Sequence, residues 1–130
     1  MLLAVSKATG YKCECIPHIA VGLQGGLMAG EVCGAACGAA LAIGLLYGEE
    51  QPEAATHLAE QFMHRFTERN RAVRCIDIVG FNIGSVSTEF EINNPKDFFL
   101  FLARGGKRAC NRVVRNSVEV LFETLKDWES

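Results

Sequence analysis

Six cysteines in a chain of 130 residues are the side chains best suited to chemistry: Cys13, Cys15, Cys33, Cys37, Cys75 and Cys110. The thiolate is both the nucleophile and the metal ligand, so a reactive cysteine needs surroundings that favour negative charge. Cys33 begins the stretch Cys33-Gly-Ala-Ala-Cys37-Gly-Ala-Ala-Leu-Ala-Ile-Gly-Leu-Leu-Tyr47-Gly48, which follows a glycine-rich run from Gly22 to Gly30. This pattern predicts a loop entering a helix of small and apolar residues at Glu31 or Val32, with Cys33 in the first turn. Helix N-termini leave backbone N–H groups unpaired and carry partial positive charge, so a thiolate at Cys33 is expected to be favoured. Cys33 is therefore the candidate nucleophile.

Cys75, before Ile-Asp-Ile-Val-Gly80, and Cys110, before the last amphipathic segment, also lie near predicted helix starts. If those ends converge, three thiols meet, and Cys75 or Cys110 becomes the resolving partner of Cys33. Cys37 sits one turn beyond Cys33. Positions i and i+4 of a helix are about 6 Å apart with poorly aimed Cβ vectors, so a local disulfide would be strained and Cys37 is read as core. Cys13-Glu-Cys15 is a C-x-C pair on a predicted loop, able to bind metal or close a strained disulfide. In a metal reading, Cys33, Cys75, Cys110 and one of Cys13 or Cys15 supply four thiolates, a donor set that suits an iron–sulfur cluster or Zn. Of the histidines, His18 is the one retained as a candidate ligand, because it lies close to Cys13 and Cys15; His57 and His64 are assigned to a surface helix face.

These residues must be held by elements the sequence predicts as helical. Met1 to Thr9 reads as the end of a helix stopped by Gly10, and a helix beginning at Met1 without a capping residue implies that the numbering starts inside an element. Pro17 suits the first turn of a short helix with Ile16, Ile19, Ala20 and Leu23. Gly34, Gly38 and Ala42 fall on one face of the central helix, where a neighbouring helix, in this chain or a second copy, can approach closely. Pro52 opens a helix through about Arg69, with Leu58, Phe62 and Phe66 at helical spacing. Cys75 to Gly80 fits either a helical turn or a short strand. Phe81 to Asn94 reads as a long loop in which Ser85 to Ile92 alternates as a hairpin arm would. Asn94-Pro95 caps a short helix holding Phe98, Phe99, Phe101 and Leu102. The last helix is expected from about Arg108 to Trp128, with an apolar face of Val114, Val118, Leu121, Phe122 and Leu125. The expected fold is all-α: one domain over residues 1–130, a compact bundle of about five to six helices around the Gly/Ala-rich one.

Composition narrows the function classes. Apolar residues make up 49% and charged residues 22%, values of a folded domain rather than a disordered chain. The net charge is −2 and the basic runs Arg65 to Arg74 and Arg104 to Arg115 are mixed with Glu or Asn, so no nucleic-acid footprint is present and both are expected on solvated helix faces. The uncharged run Val32 to Tyr47 reaches ~24 Å as a helix, short of a ~30 Å hydrocarbon core, which predicts a buried helix and no transmembrane span. Gly22 to Gly30 follows no strand and precedes no Lys-Ser/Thr, so a nucleotide loop is not expected; Gly25, Gly26 and Gly30 suit close packing against a cofactor or another chain. Met1-Leu-Leu-Ala-Val lacks the basic start of a signal peptide, so the cytoplasm is the expected compartment, where cysteine richness points to redox or metal chemistry.

Cys33, Gly34, Ala35 and Gly38 match a CGAxxG motif, and with Leu45-Leu46-Tyr47-Gly48 the chain resembles the redox-active protein family named C_GCAxxG_C_C, whose members carry four cysteines. In that resemblance Cys75 corresponds to the third cysteine and Cys110 to the fourth. The first belongs in an N-terminal helix, and residues 1–9 contain none; either the chain starts a few residues late or Cys13 or Cys15 takes over. The resemblance implies a helical domain with thiol redox or metal-cluster chemistry and no defined substrate. The expected function is thus thiol-dependent redox chemistry requiring no cofactor, with an iron–sulfur or Zn protein and a non-catalytic helical interaction domain as alternatives. The partner is an undefined redox protein or small molecule, and self-association through the glycine-faced helix is a candidate.

Overall fold

The computed structural model describes residues 1–84, 86 and 89–130, and its described residues form seven α-helices and no strand. The helices are α1 (Leu2–Thr9), α2 (Ile16–Ile19), α3 (Gly34–Tyr47), α4 (Pro52–Asn70), α5 (Cys75–Val79), α6 (Pro95–Ala103) and α7 (Gly106–Glu129). Local chemistry sets most of the boundaries. Gly10 and Gly80 stop α1 and α5 at φ 76° and 87°, a left-handed conformation that costs a residue without Cβ nothing. Pro52 and Pro95 occupy the first turns of α4 and α6, and the Asn94 side chain accepts a hydrogen bond from the Lys96 N–H at 2.9 Å. The stretch from Cys75 to Gly80, ambiguous by period, is helical. Of the loop expected from Phe81 to Asn94, the alternating part from Ser85 to Ile92, which a hairpin arm would also fit, falls partly on residues 85, 87 and 88, outside those described, and its described part contains no strand.

The main core is a three-helix packing of α3, α4 and α7, with α1 and α2 laid against it. Ala36, Ala39 and Ala42 of α3 are fully covered, so the small side chains let α4 and α7 approach and fill the space with Phe62, Phe66, Leu58, Val120 and Leu121. The face of α7 differs from the expected one. Leu121 and Leu125 are buried as expected, but the seam is completed by Val113, Ser117, Val120 and Thr124, while Val114 is exposed. Ser117 and Thr124 can enter the core because each hydroxyl donates to the carbonyl one turn back, Val113 and Val120, at 2.8 Å. A second, smaller cluster gathers Cys75, Val79, Ile83 and Phe101, with Cys110 packed on it.

Among the described residues no helix is long and apolar enough to cross a membrane. The face of Gly34 and Gly38 is covered within the chain: a Cβ on Gly34 would strike the Leu23 carbonyl oxygen, and one on Gly38 would lie 3.3 Å from the Met1 Cβ. The close approach expected of this face is therefore made by the chain's own N-terminal segment. Arg65 and Arg69 lie on the solvated face of α4 and pair with Asp127, Glu119 and Glu123 of α7.

A three-thiol cavity as candidate functional site

Cys33 is placed by a backbone feature the sequence pattern did not reveal. Val32 and Arg74 form an isolated antiparallel bridge, in which the Cys33 N–H donates to the Val73 carbonyl at 2.9 Å and the Cys75 N–H to the Glu31 carbonyl at 2.6 Å. Glu31 and Arg74 reinforce it with an ion pair of 3.1 Å. The bridge holds Glu31 to Cys33 extended, so α3 begins at Gly34 with Cys33 as its N-cap instead of at Glu31 or Val32. Cys75 begins α5 at the other side of the bridge. The one sequence hint is β-branched Val32 just before Cys33 and Val73 two residues before Cys75, too little to indicate pairing.

The glycine-rich run folds over this bridge as a left-handed turn. Gly25, Gly26, Leu27 and Met28 have φ of 60°, 61°, 61° and 57°, and the Glu31 N–H closes the turn on the Gly26 carbonyl at 3.1 Å. L-residues avoid this region, at roughly 1–2 kcal/mol each, so the strain at Leu27 and Met28 must be held by neighbours. The Val86 N–H donates to the Met28 carbonyl at 3.0 Å, and Gly84 lies against the same backbone. Gly26 is pressed on Cys75: a Cβ there would come within 2.8 Å of the Cys75 Cβ and 2.5 Å of the Glu31 carbonyl oxygen. Gly30 is similarly close to the Asn82 side chain. These glycines pack against this chain's own residues.

Cys33, Cys75 and Cys110 all line one cavity of about 330 Å³ at the seam between the two hydrophobic clusters. Its other walls include Leu23, Met28, Ile83, Ile92, Phe101 and Val113, and Gln24 adds a polar side chain to the lining. Neither Met28 nor Phe101 is marked as a site residue by the sequence, which places Phe101 only on the short helix α6, because their place at the cavity depends on the left-handed turn and on the packing of α6. Cys110 lies two residues further into α7 than expected, since that helix starts at Gly106 and not at about Arg108. Cys33 and Cys75 are both 7% exposed, so reagents reach them through the cavity.

Electrostatics couples the thiols. Burial pushes the Cys75 thiol up to about 11, and the neighbouring Cys110 and Cys33 add to the rise. Cys110 is raised by burial and then by Cys33. Cys37, half-buried, is raised by burial and again by Cys33, so the residue assigned to the core senses the same centre. Within this group negative charge on one thiol opposes ionisation of the others.

Cys13 and Cys15 are not brought to the cavity. They are joined to each other in a disulfide, so neither offers a thiolate, and His18 beside them is exposed. Among the described residues no group of three or more His, Cys, Asp or Glu side chains is arranged to hold a metal ion. The four-thiolate set expected for a cluster or Zn is therefore not assembled by the residues present.

An all-helical protein with three free cysteines on one apolar cavity is the class that fold and site define. The sequence matches the family described as "Putative redox-active protein (C_GCAxxG_C_C)" over residues 1–124, and the chain belongs to that family. Neither the curated proteins nor the solved structures contain a match.

Proposed function

We propose that the cavity carries out two-electron thiol–disulfide exchange, with Cys33 as attacking thiolate and Cys75 or Cys110 as resolving thiol. The observation that carries this reading is the convergence of these three free cysteines on one apolar cavity. Cys33 occupies the N-cap position of α3, and its own N–H is engaged by the Val73 carbonyl, which fixes its backbone at the cavity wall. In the step proposed, the Cys33 thiolate attacks one sulfur of a disulfide substrate and expels the other as a thiolate. The resolving cysteine, deprotonated, then attacks the Cys33 sulfur and expels the remaining substrate thiolate. The substrate gains two electrons and the protein closes one internal disulfide. A reductant thiol reverses the sequence.

Peptide-mapped thiol counting before and after mild reduction tests this. The expected result is two thiols gained among Cys33, Cys75 and Cys110, and loss of the exchange in Cys33→Ser; mapping is needed because Cys13 and Cys15 contribute two thiols of their own. All three thiols free and unreactive at neutral pH would sink the proposal. A cysteine-ligated metal or iron–sulfur centre is the alternative that the donor type suggests, and stoichiometric metal with visible absorbance in anaerobically purified protein would replace the exchange reading with that one.

A further inference from the structure

The Cys13–Cys15 disulfide, which has no part in the cavity chemistry, joins residues separated by two positions on the connection between α1 and α2. A disulfide stabilises mainly by restricting the unfolded chain, and its effect grows with the length of the loop it closes. This one encloses only Glu14, so stapling the fold is not its main consequence. Exposed disulfides are the ones open to exchange. Here the two sulfurs differ. Cys15 is exposed, whereas Cys13 is half-buried against the main core and its Sγ accepts a hydrogen bond from the Cys15 N–H at 3.3 Å. The backbone around the pair is tied independently of the S–S bond. The Ile16 N–H donates to the Cys13 carbonyl at 3.1 Å, and the His18 and Ile19 N–H groups donate to the Cys15 carbonyl at 3.0 and 2.9 Å. Opening the ring therefore leaves both cysteines placed to close it again.

We infer that Cys13 and Cys15 form a separate redox site, an exposed dithiol/disulfide pair that exchanges two electrons with low-molecular-weight thiols. The first thiol, as thiolate, attacks the exposed Cys15 sulfur. The S–S bond breaks, a mixed disulfide forms on Cys15, and the electron pair leaves on Cys13, where the Cys15 N–H stabilises the new thiolate. A second thiolate attacks the sulfur of the small thiol in that mixed disulfide and releases Cys15. Two small thiols are thereby oxidised to one disulfide, and Cys13 and Cys15 take up two electrons and two protons. In the opposite direction, the Cys15 thiolate attacks a small-molecule disulfide and Cys13 resolves the adduct.

Glutathione is the probe. The full chain is equilibrated in buffers of increasing reduced-to-oxidised glutathione ratio, quenched by alkylation and peptide-mapped, so that Cys13 and Cys15 are scored apart from Cys33, Cys37, Cys75 and Cys110. The expected result is passage of the pair from disulfide to dithiol within the series, with only traces of adduct. Given oxidised glutathione, Cys13→Ser is expected to accumulate a stable adduct on Cys15, and Cys15→Ser an adduct on Cys13 at least tenfold more slowly. A pair that stays oxidised or stays reduced through the whole series overturns the inference, as does an adduct forming equally fast in both variants. Should a variant lose its helical circular dichroism, the wild-type series decides. Because the states of Cys33, Cys75 and Cys110 are scored separately, failure here and failure of the cavity exchange are distinguishable.

Discussion

The buried Cys75 thiol, raised to about 11, is held protonated at neutral pH, so it is not the first attacking group and must lose its proton before it can resolve a mixed disulfide on Cys33. Against an ordinary cysteine near 8.5, its thiolate fraction at pH 8 is smaller by roughly a hundredfold. Mapped iodoacetamide labelling at pH 8 is therefore expected to be about a hundredfold slower at Cys75 than in an unfolded peptide, rising about tenfold per pH unit towards pH 11. Equal rates would show that the cavity does not hold the thiol protonated. The same shift acts on stability. A thiol raised on folding keeps its proton when the unfolded chain has lost it, so its contribution is fully present below about pH 8.5 and is lost as pH rises through about 11. In Cys75→Ser that part of the alkaline loss of urea resistance should vanish. Beside Cys75, Gly26 has little room to change. Its φ of 61° and the contacts awaiting a Cβ predict that Gly26→Ala costs roughly 2–4 kcal/mol, read as a lower urea midpoint with unchanged slope. A midpoint within error of wild type would mean that the turn moves freely away from Cys75.

The elements divide between a core that works by burial and a surface that adds little. Phe62 of α4 is wholly buried at the junction with α3 and α7, and Phe62→Ala is expected to cost about 3–5 kcal/mol. Arg69 on the same helix pairs with Glu119 and Glu123 at 3.3 and 3.0 Å but stays solvated, so Arg69→Ala should cost under about 1 kcal/mol. Chemical denaturation of the two variants tests the contrast, and comparable losses would contradict this view of α4 and α7. It was at this scale that the sequence was most legible. Pro52, Pro95, Gly10 and Gly80 mark helix ends by backbone rules that need no tertiary knowledge, and α1, α4 and α6 begin or end where those residues place them. The face of α7 was not readable by hydrophobicity, because Ser117 and Thr124 are buried only once their hydroxyls find a carbonyl one turn back. Nor was the left-handed turn readable: Leu27 and Met28 carry no local mark of positive φ, and their conformation is imposed by Gly84, Val86 and Asn82 from far along the chain. The three cavity cysteines could be nominated from their places near helix starts, but their convergence depends on the bridge between Val32 and Arg74, a pairing no period announces.

For the whole molecule, the decisive feature is that the proposed exchange spans two hydrophobic clusters. Cys33 belongs to the main one and Cys75 to the smaller one, and the cavity lies between them. Across the bridge the two cysteines occupy diagonal positions, for which the spacing is about 7–8 Å between backbones, longer than the Cα separation a disulfide accepts. Closing a Cys33–Cys75 bond therefore requires the clusters to shift relative to each other, and the bridge and the left-handed turn are the parts that must yield. The α3–α4–α7 packing does not need to move, since its contacts are made by Ala39, Phe62, Phe66 and Val120, away from the seam. Hydrogen exchange on the reduced protein and on protein oxidised to an internal disulfide is thus expected to differ in residues 24–33 and 73–84, with α4 and the second half of α7 unchanged. If a Cys33–Cys75 bond forms with no change in those two segments, the clusters are already close enough for closure and the bridge is not the restraint inferred. If exchange rises throughout α4, oxidation unfolds the core instead of shifting one cluster against the other.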